Sequence, residues 1–135
     1  MDRFKYRATR HKDGCRVVFA YDGKNKVGWI GACPSLHYLE VQKVHVVESH
    51  RRQKLGTALY TQLARTACEA GTPLASYSWQ RNSVSESFWQ KQLKLGRAYV
   101  DAKEPALAVI KCPVPVLTGP RGRPRLHRAP KARRR

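Results

Sequence analysis

The stretch Val44-His45-Val46-Val47-Glu48-Ser49-His50-Arg51-Arg52-Gln53-Lys54-Leu55-Gly56-Thr57-Ala58-Leu59 (VHVVESHRRQKLGTAL) changes its hydrophobic period halfway along. Tyr38 to Val47 reads as the longest strand of the chain, with Leu39, Val41, Val44 and Val46 as inward-facing candidates. From Arg52 to Ala70 the period becomes helical: Leu55, Ala58, Leu59, Leu63, Ala67 and Ala70 share one face, and Gly71 with Pro73 ends the run. A strand that feeds a helix through a short loop aims several free backbone N–H groups at one point. The helix dipole adds roughly half a positive charge there. Gly56 permits close approach of an anion, and Arg51 and Lys54 add charge-assisted contacts. On local chemistry alone the loop is either an anion site or a solvated basic helix start.

The flanking sequence supplies the rest of the fold. Phe4 to Ala8 alternates weakly as a strand. Cys15 to Tyr21 and Val27 to Cys33 form a hairpin across the turn signal Asp22-Gly23-Lys24-Asn25, and Pro34-Ser35 breaks it. Downstream, Leu74 to Trp79 is a short strand. Asn82 or Ser83 caps a second helix that runs to about Leu95 and stops at Gly96. Arg97 to Val100 and Ala106 to Lys111 complete the pattern. The order is α/β with a mixed sheet, and the strand–helix–strand passage over 38–79 predicts a parallel crossover.

A chain of 135 residues is one domain, and its 41% hydrophobic content, three tryptophans and six tyrosines argue against wholesale disorder. The net charge of +18 selects polyanionic partners, nucleic acid before an anionic membrane surface. Eight of the 27 Lys and Arg fall in residues 113–135, which hold no acid, leaving 19 against nine acids in 1–112. The division is therefore a basic globular domain over 1–112 and a basic, disordered, nucleic-acid-binding tail over 113–135. Cys15, Cys33, Cys68 and Cys112 lack metal-ligand spacing and read as reduced thiols, with a cytoplasmic or nucleoid/nuclear location in a reducing compartment. No apolar run is long enough to span a membrane, and no metal is expected.

Residues 44–59 resemble motif A of the GNAT superfamily of acyl-CoA-dependent N-acyltransferases, whose loop reads Arg/Gln-x-x-Gly-x-Gly/Ala after a strand. Arg51 falls on its first position and Gly56 on its last. Lys54 replaces the first glycine, a substitution compatible with the loop provided Lys54 avoids a positive φ. Asn82 to Trp89, followed by Leu95-Gly96, resembles the family's Asn-x-x-Ala-x-x-φ-Tyr…Gly-Phe segment, where φ is apolar, with Trp89 in place of the usual tyrosine. The likeness covers about residues 3–112 and implies a GNAT-like mixed central sheet with flanking helices. It implies acetyl-CoA as cofactor, held by Arg51, Arg52, Gln53, Lys54, Leu55, Gly56 and Thr57 at the pyrophosphate and by Val44, His45, Val46 and Val47 along the pantetheine. Asn82 and Trp89 join that set.

The reaction implied is acetyl transfer to an amine, which needs a group to take the ammonium proton. In the lysine-acetylating branch a glutamate lies eleven residues before the first loop position, and Glu40 stands there. It is the only acid between Asp22 and Glu48. Glu40 is either that base or a solvent-facing carboxylate paired with a cation; His45 is a second candidate. Trp89 offers no useful proton, so Tyr77, Ser85 or Ser87 serves as acid, or the thiolate leaves unaided. Family members place two helices between the first two strands, whereas only Thr9 to Gly14 separates them here. The acceptor side is then open, or completed by the second subunit of a homodimer, and suits a macromolecular amine such as a protein lysine.

In the tail, Arg121-Gly122-Arg123-Pro124-Arg125 after Pro120 resembles the AT-hook, which lies extended in the minor groove of A·T-rich DNA. The alternative is unspecific binding of DNA or RNA by counterion release. The combined reading is an acetyltransferase brought to nucleic acid, acting on a lysine of a nucleic-acid-associated protein. Its rival is a nucleic-acid-binding protein on a catalytically degenerate acetyltransferase scaffold.

Overall fold

The computed structural model describes residues 3–51, 53–118 and 123–126. Seven strands form one sheet: β1 Lys5–Arg10, β2 Arg16–Asp22, β3 Asn25–Ser35, β4 Tyr38–Val46, β5 Leu74–Tyr77, β6 Ala98–Val100 and β7 Leu107–Ile110. Their spatial order is β1-β2-β3-β4-β5-β7-β6, antiparallel throughout except between β4 and β5. Helix α1, Leu55–Glu69, makes the parallel crossover that the change of period predicts. Helix α2 spans Ser83–Lys94 behind an Asn82 cap, and Gly96 after it takes φ 73°.

The mixed α/β GNAT-like sheet is thus present, and β1 joins β2 by a tight turn with no helix between them. Both helices pack on the same face. Leu55, Leu59 and Leu63 of α1 and Phe88 and Trp89 of α2 share one core with Val18, Ala20, Ile30, Leu39 and Val41 of the sheet. A Cβ at Gly28 would lie 3.0 Å from the His45 carbonyl and 3.2 Å from Leu59, so a side chain there would press on the strand and on α1 where they sit closest. A bulge in β4 falls at Gln42, where the pairing steps from Ala32↔Val41 to Gly31↔Lys43. It shifts the alternation by one, so that Leu39 and Val41 before it and Val44 and Val46 after it face the helices.

Three expectations need correction. Pro34 does not break β3: it pairs opposite Leu39, and the chain turns only at Leu36, φ 57°. The four cysteines are not free thiols. The β2–β3 register sets Cys15 beside Cys33, and the end of β7 brings Cys112 to Cys68 on α1, giving two disulfides. Wide sequence spacing had concealed both pairings. Third, the described residues beyond 112 are not all disordered. Val114 packs into the core, and β8 Pro115–Thr118 pairs antiparallel with β9 Arg123–Leu126. Arg123, Pro124 and Arg125 lie in β9, while Arg121 and Gly122 fall outside the described residues.

Tyr38 at the start of β4 donates a hydrogen bond to Asp101 Oδ1 at 2.8 Å, tying the β3–β4 turn to the β6–β7 loop. That bond lowers the Asp101 carboxyl and pushes the Tyr38 phenol up to about 12 from its usual 10. A raised folded value means that Tyr38 contributes stability in full below about pH 10 and loses it as pH rises through about 12. Tyr38→Phe should therefore flatten the fall of stability over that alkaline window in denaturant titrations, while wild type falls more steeply; identical slopes would remove the bond from the account.

Candidate active site

β4 and β5 pair at only two positions, Leu39↔Leu74 and Glu40↔Ala75. Beyond them the strands part, and β4 from Val41 to Val46 has no strand partner on its β5 side. The fork opens on the helix side into a cavity of about 690 Å³. Val44 and Val46 line one wall, α1 contributes Leu55, Gly56, Thr57 and Tyr60, and α2 with its cap contributes Asn82, Ser85 and Phe88. Arg51 and Lys54 stand at the end nearest the helix start.

That helix start is bare. No side chain caps α1, and its first internal bond is Ala58 N–H to the Lys54 carbonyl at 3.1 Å. The N–H groups of Leu55, Gly56 and Thr57 precede it and have no partner within the helix. A side chain on Gly56 would meet nothing within 4 Å: it would project into the space that the glycine leaves open. One end of the cavity thus offers backbone donors and two cations, and the rest is largely apolar. Such a site suits a long ligand with a phosphate at one end.

Lys54 is not spared a positive φ. It sits at 61°, ψ 22°, in the left-handed region immediately before α1. The chain must reverse there to enter the helix, which is why a glycine belongs at this place. Arg51 donates from Nε to the Val46 carbonyl at 2.9 Å, closing the loop against the strand it leaves.

The expected residues divide by face. Val44, Val46, Arg51, Lys54, Leu55, Gly56, Thr57, Asn82 and Ser85 all border the cavity. Gln53 lies in the loop but donates to the Ser49 carbonyl, and Val47 bonds through its N–H to Val27. Arg52 lies outside the described residues. His45, set by strand alternation on the other face, rests against Trp29 with ring centres 5.9 Å apart. Trp89 does not reach the cavity either; it is fully buried behind Tyr60 and Phe88. Tyr77 belongs to the far face, stacked on Trp79 at 4.4 Å. Ser85 is committed locally: its Oγ accepts from the Asn82 N–H at 2.9 Å, while its own N–H donates to Asn82 Oδ1, a reciprocal cap. Glu40, half-buried, occupies the last paired rung before the fork, opposite Cys33 and beside Ala75, on the face away from the helices.

Tyr60 and Phe88 border the cavity without having been singled out as site residues. Their rings stack at 4.5 Å. The signal for Tyr60 was its spacing: one helical turn beyond Gly56 places it over the same wall. Burial pushes its phenol above the usual value, with the Ser85 and Trp89 side chains and the Arg81 charge pulling the other way. The Trp89 Nε1–H and Arg81 Nη1 are buried beside it without acceptors of normal geometry.

The family model for the acetyltransferase (GNAT) family matches residues 1–94. The chain belongs to this family. No curated protein sequence gives a match. Among solved structures, a GNAT-family protein from Desulfovibrio desulfuricans superposes with TM-score 0.54 at 15% identity, covering 74% of this chain and 68% of that one. The PaiA N-acetyltransferase of Thermoplasma acidophilum, solved with coenzyme A, gives 0.52 at 16% identity over 71% of this chain. This chain spans only 58% of PaiA. Nourseothricin acetyltransferase gives 0.52 at 18% identity, covering 82% and 85%. These likenesses support the fold. By family the chain is an acetyltransferase, and acetyl-CoA is its cofactor.

Since Lys54 occupies a left-handed position, Lys54→Gly should raise stability by about 1 kcal/mol, read as a shift of the urea midpoint with unchanged slope. A loss of stability would show that the lysine side chain holds the loop by contacts.

Proposed function

We propose that this GNAT acetyltransferase acetylates the ε-amine of a lysine on a nucleic-acid-associated protein. The observation that carries the reading is the fork between β4 and β5, with uncapped helix N–H groups on one side and Glu40 on the other. In this reading the N–H groups of Leu55, Gly56 and Thr57, with Arg51 and Lys54, hold the pyrophosphate, and the unpaired edge of β4 over Val44 to Val47 holds the pantetheine by its backbone. Both fit what the cavity presents: donors and cations where Gly56 leaves room, and Val44, Val46 and Phe88 along an apolar run.

When bound, acetyl-CoA supplies an acetyl group activated as a thioester, which a neutral amine converts to an amide with release of the thiol. A lysine arrives as an ammonium, so Glu40 takes one of its protons on a carboxylate oxygen, directly or through a water. The leaving sulfur needs a proton in return. Trp89 is buried in the core, and Tyr77 lies on the far face. Tyr60, on the cavity wall, carries the hydroxyl that this arrangement favours as donor. Trp89 and Lys54 therefore need not mark a degenerate site: one is a packing residue and the other a turn residue.

The acceptor class follows from openness and charge. No helix between β1 and β2 walls off the Glu40 side, so a bulky acceptor can reach it. The basic tail, whose cations include Arg121, Arg123 and Arg125, would keep the enzyme on nucleic acid, near proteins bound there.

Mass spectrometry after incubation with labelled acetyl-CoA and a cell lysate should find label on lysines of nucleic-acid-bound proteins. Label confined to small amines would overturn the acceptor assignment. Glu40→Gln should lower turnover at pH 7 by roughly a hundredfold or more, with partial recovery at high pH, where the amine is already neutral. Wild-type turnover at pH 7 in that variant would remove Glu40 from the mechanism.

A further inference from the structure

The two helices cover one face of the sheet and leave the opposite face of β1–β4 without a covering helix among the described residues. The register lays one rung across all four strands of that face: Arg7↔Phe19↔Trp29↔His45. All four side chains end in planar groups. Phe19 and Trp29 are half-buried, while Arg7 and His45 are exposed. Two exposed lysines lean over the rings, Lys26 Nζ 4.2 Å from the centre of Phe19 and Lys43 Nζ 6.0 Å from that of Trp29. Lys5, on the next rung opposite Tyr21, adds another cation.

The charge of this face is one-sided. Strands β1–β4 contain two acids in all. Asp22 is bound to Arg3 at 3.1 Å and His50 at 2.9 Å at the hairpin end. Glu40 stands at the fork, along β4 from His45 by roughly 16 Å at ~3.3 Å per residue. A surface that alternates planar rings with flexible cations matches an alternation of bases and phosphates. Rings on an open sheet accept stacked bases, which a duplex keeps inside its own stack; the two exposed lysines that lie over the rings swing off them to reach the backbone between the bases. A protein partner of ordinary composition would bury these cations without matching charge.

We propose that the uncovered face of β1–β4 is a platform for single-stranded nucleic acid, with bases stacked on Phe19 and Trp29 and phosphates met by Lys26, Lys43 and Arg7. The platform does not rest on the acetyl-transfer reading. It is separate from the tail, whose charge binds duplex and single strand alike. Its far edge runs to Glu40, so a strand held there lies beside the acceptor entrance.

The test is fluorescence anisotropy of the full chain with a labelled single-stranded 20-mer and with duplex DNA of equal length. Replacing both rings, Phe19→Leu with Trp29→Leu, should weaken single-strand binding at least tenfold and change duplex binding by less than about twofold. Since the ring variant removes half-buried surface, Lys26→Gln with Lys43→Gln, both exposed, provides a second arm. It should reduce the slope of log K against log salt for the single strand by about 1.4, at about 0.7 per phosphate contact. Equal losses for both nucleic acids in the ring variant, or an unchanged slope in the lysine variant, would overturn the platform. So would binding of an acidic peptide as tight as that of the single strand, or a wild-type dimer that the ring variant dissolves.

Discussion

The parting of β4 from β5 after a single pair of rungs governs the rest of the molecule. Parallel strands joined by a helix ordinarily continue side by side, since every unpaired buried backbone group costs free energy. Here pairing stops at Glu40↔Ala75, and the freed edge of β4 becomes the wall of a cavity. The bulge at Gln42 and the close seat of α1 on Gly28 both serve this opening. One keeps Val44 and Val46 on the helix side after the strand bends, and the other fixes where the bare helix start points. The same fork divides labour between faces: the cavity belongs to the helix side, and Glu40 belongs to the other.

Much of this was legible in the sequence because it is local. The change of period within 44–59 located the strand, the loop and the helix, and the Asn82 cap located α2. Strand ends were less readable where tertiary pairing overrode a breaker, as at Pro34, which lies at a hairpin end and still pairs opposite Leu39. The site was legible as a stretch but not as a set of side chains. Alternation along β4 sends His45 away from its neighbours Val44 and Val46, and helical rotation buries Trp89 while exposing Asn82 on the cavity. Tyr60 required combining the helical period with the loop rather than reading a motif.

The cysteines show the other limit. Spacing along the chain says nothing of proximity across a sheet, and both pairings join elements that meet only in the fold. Cys15–Cys33 staples the residue before β2 to β3 on the uncovered face, with Cys33 on the Glu40 rung, and Cys68–Cys112 ties α1 to the chain leaving β7. A GNAT-like sheet without helices between its first two strands lacks part of the cover that its relatives place there. Two cross-links are a reasonable offset, since each limits the freedom of the unfolded chain. What remains uncovered is a basic, ring-bearing surface that runs to Glu40.

The account stands on the fork being a site for acetyl-CoA. A thermal melt with and without acetyl-CoA, in wild type and Gly56→Leu, tests it most directly, because a Cβ at 56 has no protein atom within 4 Å and a side chain there points into the open space at the helix start. The account predicts that acetyl-CoA at a hundredfold excess over Kd raises the wild-type melting temperature by on the order of 8 °C, and that Gly56→Leu melts normally alone but gains little from the ligand. An equal gain in both proteins, or none in wild type at millimolar acetyl-CoA, would contradict it.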